Sequence, residues 1–68
     1  MTQAENYEIL FDGGQKSQAR NLAESMSTWK GQDWENEVTV FGFEDGSAIY
    51  ASGPEFRVAK PEEIGAYQ

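Results

Sequence analysis

The chain has no cysteine and no histidine. Without thiols there is no disulfide staple and no thiolate metal site. Without imidazole, the commonest general acid–base group and the commonest metal ligand are both missing. Ser17, Ser25, Ser27, Ser47 and Ser52 therefore have no histidine to turn them into nucleophiles. Long apolar runs are absent too, and a membrane-spanning helix needs about 20 such residues. The start, Met1 to Glu5, carries no basic stretch, so neither a secretory signal nor a membrane span is expected. The lack of thiols fits a reducing compartment, and the expected location is cytoplasmic.

Basic residues are scarce. Five Lys and Arg stand against twelve Asp and Glu, a net charge of −7. Binding nucleic acid through its phosphates takes a basic face, so no direct contact with nucleic acid is expected, and an acidic membrane surface would repel the chain. The partners that suit it are proteins with basic surfaces, including those whose usual ligand is nucleic acid. The same charge also serves solubility alone. With 68 residues the chain is expected to be one domain, 1–68, with ends that fray at about 1–5 and 65–68. A domain of this size commits nearly all its apolar side chains to packing. No deep cleft, no cofactor and no enzymatic activity are expected.

What is present reads as an α+β domain. Tyr7, Ile9 and Phe11 alternate with Glu8, Leu10 and Asp12, which predicts a strand over Asn6–Asp12 that Gly13 and Gly14 end. Ala19, Leu22, Ala23, Met26 and Trp29 recur at helical spacing, which predicts a helix over Gln15–Lys30 with Gly31 past its last turn. Gln32–Asn36 is polar apart from Trp34 and reads as a connection. Glu37–Phe43, Ser47–Ala51 and Glu55–Ala59 read as strands. Pro61–Gly65 adds a helical turn. The expected order is β-α-β-β-β, with one helix on one face of a small mixed or antiparallel four-stranded sheet.

Asp45-Gly46 predicts a two-residue hairpin turn. Counting outward from it pairs Phe43 with Ala48 and Phe41 with Tyr50, and so places Phe41, Phe43 and Tyr50 on one side. The other side, with Val38, Val40, Gly42, Ile49 and Ala51, suits the helix. The aromatic side is then covered by Trp34 and the tail residues Ile64 and Tyr67, or it is an exposed interaction surface.

Asp33, Glu35 and Glu37 fall at alternate positions, so an extended backbone projects all three to one side, roughly 6–7 Å between neighbours. Such a row can guard a sheet edge against pairing, imitate the phosphates of a nucleic acid strand, or hold a cation. Glu44, Asp45, Glu62 and Glu63 are candidates to extend it. Arg57 is expected to pair with Glu55 or Glu37. Two other motifs are weak. Glu44-Asp45-Gly46-Ser47 lacks the twelve-residue calcium pattern. Asp12-Gly13-Gly14 before a helix suits an anion but carries neither GxGxxG nor a Walker lysine.

In size, acidity and lack of catalytic groups the chain resembles the small inhibitors that phages encode against host nucleic-acid-binding machinery, anti-CRISPR proteins among them. The likeness is one of kind and rests on no particular residues. The expected function is a non-enzymatic, acidic protein-binding module, with DNA mimicry as its mode. Its predicted partner-binding residues are Asp33, Glu35, Glu37, Glu44, Asp45, Phe41, Phe43 and Tyr50, with no catalytic residue and no metal ligand. The alternative is a structural or assembly protein that homodimerises through Phe41, Phe43 and Tyr50.

Overall fold

The first element is a helix where alternation predicts a strand. In the computed structural model, which describes residues 1–68, Gln3–Asp12 form α1. Tyr7 and Phe11 lie four residues apart, a spacing that satisfies a helix face as well as a strand face. With Ala4 they make the inward side of α1, while Ile9 turns to solvent and is 56% exposed. A capping box starts the helix. The Thr2 hydroxyl accepts from the Glu5 amide (3.2 Å), and the Glu5 carboxylate accepts from the Thr2 amide (2.9 Å). Gln3 and Ala4 donate their amides to the Asp45 carboxylate and the Ser47 hydroxyl. Every first-turn donor of α1 thus has an acceptor, and Gln3 and Ala4, in the segment expected to fray, are tied to the hairpin.

The remaining elements are α2 (Lys16–Met26), β1 (Trp29–Asp33), β2 (Val38–Gly42), β3 (Ala48–Ser52), β4 (Glu55–Val58) and α3 (Pro61–Tyr67). The four strands form one antiparallel sheet in the order β1-β2-β3-β4. The architecture is α+β, and α3 carries the chain to Tyr67. No helix is long and apolar enough to cross a membrane. The second helix ends before Trp29, whose ring belongs to the sheet. Ala19 and Ala23 are buried, whereas Leu22 and Met26, on the same predicted stripe, stay 36% and 51% exposed. The cause is position: α1 packs on β3 and β4, and α2 packs chiefly on α1.

The central hairpin turns one residue differently from the Asp45-Gly46 expectation. Phe43 donates its amide to the Ser47 carbonyl (2.8 Å), Gly46 donates to the Phe43 carbonyl (3.1 Å), and Gly46 has φ of +89°. That is a three-residue loop, Glu44–Gly46, with glycine in its left-handed position. Phe41 therefore faces Ile49, and Val40 faces Tyr50. A shift of one residue moves β3's side chains to the opposite face. Phe41, Phe43, Ile49, Ala51 and Phe56 now lie under α1 and α2, and Phe11 stacks on Phe56 at 4.5 Å. Val38, Val40 and Ala48 lie on the other face beneath α3, with Trp29, Tyr50, Ile64 and Tyr67. The sheet is covered on both sides.

Two glycines permit the α3 face. Gly31 gives Tyr67 room to lie on β1, and Gly42 gives the Trp29 indole room to lie on β2. A methyl group at Gly42 would overlap the indole. Gly42→Ala is expected to lift the ring and cost about 1–3 kcal/mol. Urea unfolding would show the loss, and the near-UV dichroism of the tryptophans would change with it. An unaltered spectrum and midpoint would show that the ring does not depend on this glycine.

Candidate functional site

The β1–β2 connection, Trp34–Glu37, is a tight tip that follows the last pair of the ladder, Asp33 with Val38. Asp33 organises it. Its carboxylate accepts from the Asn36 amide (3.2 Å) and from the Asn36 side chain (2.8 Å). These bonds, the side-chain one foremost, hold the Asp33 carboxyl below its usual range. Asp33 also lies beside Tyr67, whose hydroxyl is pushed up by burial and then by this carboxylate. Glu37 closes the turn at φ +55°, the chain's only non-glycine residue with positive φ. A side chain in that conformation costs roughly 1–2 kcal/mol, which glycine would avoid.

Trp34 stands at the head of this turn and is 80% exposed. Glu35, Asn36 and Glu37 beside it are exposed as well. Neither Glu35 nor Glu37 forms an ion pair with any of the chain's five cations. The tip is thus a large indole ringed by free carboxylates. Of the residues offered as cover for the aromatic side, Ile64 and Tyr67 pack on the sheet face that holds Tyr50, whereas Trp34 covers neither face. The sign available in the sequence was a lone tryptophan within a polar connection, with no neighbouring apolar residue to draw it inward.

The other predicted residues separate. Residues 34–37 turn, so Asp33, Glu35 and Glu37 do not form an extended row. They cluster around one tip instead, with Asp33 bound to Asn36. Glu44 and Asp45 lie at the opposite end of β2, five residues of strand away, or roughly 17 Å. Asp45 is occupied there: it accepts from the Ser47 hydroxyl, the Ser47 amide (3.0 Å) and the Gln3 amide (2.8 Å). Those bonds, led by Ser47, hold its carboxyl below the usual range. Phe41 and Phe43 are core residues, 3% and 2% exposed. Tyr50 lies on the other face of the sheet, half-buried beneath the Arg57 guanidinium at 4.2 Å. The single aromatic surface expected of Phe41, Phe43 and Tyr50 does not exist, because the one-residue shift of the hairpin splits it.

Arg57 pairs with Glu55, as expected, and also with Glu63, which removes Glu63 from the acids free to face a partner. Glu62 remains exposed. No three carboxylates stand close enough to hold a metal ion. No family model, no curated protein and no solved structure matches this chain.

Proposed function

We propose that the chain is a non-enzymatic binding module that docks its β1–β2 tip on a basic surface of a protein partner, a surface of the kind that otherwise holds nucleic acid. Trp34 is the anchor, and Glu35 and Glu37 are the guiding charges. The observation that carries this reading is the 80% exposure of Trp34 between unpaired carboxylates. Large aromatic rings surrounded by polar residues are where binding energy concentrates in protein interfaces. Glu37 adds support, since a glutamate occupies a backbone position that favours glycine, and strain of this kind tends to sit at functional positions. The net charge of −7 favours encounter with a basic surface and disfavours nucleic acid itself. The absence of cysteine suits action in the cytoplasm.

Capture from a lysate with wild-type, Trp34→Ala and Glu35→Lys/Glu37→Lys baits, followed by association kinetics on the captured protein, tests this. The charge reversal is expected to slow association by about tenfold or more at low salt, with the difference shrinking as salt rises. Trp34→Ala is expected to act mainly on dissociation, weakening binding by about 2 kcal/mol. Double-stranded DNA should compete for the partner. Unchanged association rates at low salt would remove the electrostatic reading. A Trp34→Ala bait that binds like wild type would remove the anchor.

A further inference from the structure

The acidic tip leaves unexplained the one concavity of the molecule, a cavity of about 260 Å³ between the start of α2 and the β3–β4 turn. Its lining is Phe11, Lys16, Ser17, Arg20, Gly53 and Pro54. Two of the chain's five cations therefore meet in one depression of a protein with twelve acids. Neither has a carboxylate partner: the three ion pairs of the molecule use only Lys30 and Arg57. Glu55, next to Pro54 in the chain, turns its carboxylate onto Arg57 at 2.9 Å. Lys16 and Arg20 are one helical turn apart, where like charges repel unless an anion lies between them. The Lys16 ammonium stands 5.5 Å from the centre of the Phe11 ring, at the cavity wall.

We propose that this cavity binds the phosphate group of a small phosphomonoester. Arg20 offers a planar fork and Lys16 a point charge, a combination suited to a tetrahedral oxyanion. The Ser17 hydroxyl makes no hydrogen bond within the protein and adds a third donor. No side chain caps the start of α2, so its first amides add further donors. These outnumber what the two oxygens of a carboxylate can use, which favours phosphate. The Phe11 ring and Pro54 form the apolar part of the wall and would contact the organic portion of the ligand. This site is independent of the Trp34 tip, and either can fail alone.

The test is titration of isotopically labelled protein with phenyl phosphate and with inorganic phosphate, followed by amide NMR. Phenyl phosphate should give saturable shifts confined to residues around Lys16, Ser17 and Gly53. Inorganic phosphate should move the same amides with weaker affinity. The double variant Lys16→Gln/Arg20→Gln changes two exposed side chains and should keep the dispersed spectrum while binding phenyl phosphate about tenfold more weakly. Equal affinity for the two ligands would overturn the part assigned to Phe11 and Pro54. Shifts spread over the whole surface, or a double variant that binds like wild type, would overturn the site.

Discussion

Phe43→Ala is expected to leave the domain largely unfolded. Phe43 is 2% exposed, packs in the cluster beneath α1 and α2, and meets the Tyr7 ring at 5.0 Å with a 60° tilt. Truncating a buried phenylalanine costs about 3–5 kcal/mol in transfer and cavity terms. A single core in a chain of this size supplies no more than about 3–5 kcal/mol in total. The loss therefore equals the stability. Phe43→Leu keeps most of the volume and is expected to cost less than about 1.5 kcal/mol. Circular dichroism with urea titration separates these outcomes. The alanine variant should show little or no cooperative transition, and the leucine variant a shifted but cooperative one. Were Phe43 instead part of a docking surface, Phe43→Ala would fold normally and lose only binding.

The distance between those two outcomes shows where sequence reading succeeds and where it fails. The strand residues Val38–Gly42, Ala48–Ala51 and Glu55–Val58 are legible because β-branched and aromatic residues crowd there between clear turns. The helix around Ala19 and Ala23 is legible from its period. The first segment misleads because Tyr7 and Phe11 satisfy two periodicities at once, and the residue that separates them, Ile9, is exposed in a way composition does not reveal. The deciding signal, Thr2 followed three residues later by Glu5, is a capping box and marks a helix start. The candidate site was blurred by one hairpin residue. Asp45-Gly46 supports both a two-residue and a three-residue loop, and the choice between them moves Tyr50 to the opposite face from Phe41 and Phe43. Only contact with the rest of the fold, where Asp45 and Ser47 cap α1, fixes the longer loop. Trp34 differs, since its polar neighbours in the chain are the sign of its exposure, while Ile64 and Tyr67 pack on the α3 face without it.

Arg57→Met is the second large effect expected, and it carries its own pH signature. Arg57 forms a two-bond fork with Glu63 (2.8 and 2.7 Å) and donates to Glu55 (2.9 Å) and the Val58 carbonyl (3.3 Å). Glu63 also accepts the Lys60 amide at the start of α3 (2.8 Å). One guanidinium thus joins β4 to α3 and lies over Tyr50. Hydrogen bonds to charged groups contribute about 1.5–3 kcal/mol. The Arg57 and Glu63 side chains are 29% and 20% exposed, so solvent screening places the expected loss near 2 kcal/mol. Arg57→Lys should recover less than half, because an ammonium cannot fork. The fork, ahead of the other contacts, holds the Glu63 carboxyl down at about 2 from an ordinary 4.5. A carboxyl lowered on folding stabilises the protein above its unfolded value and loses that contribution as pH falls through the folded one. Wild-type stability should therefore drop between about 4.5 and 2, whereas Arg57→Met, already without the fork, should follow a flatter course. Asp33, Asp45 and Glu5, lowered by Asn36, Ser47 and Thr2 respectively, titrate alike in both proteins and set the slope they share. The two stability curves, measured by urea unfolding across this range, should converge at low pH. A gap that stays constant down to the lowest pH would assign the stabilisation to the contacts that do not titrate, stacking on Tyr50 and the bond to the Val58 carbonyl, and not to Glu63.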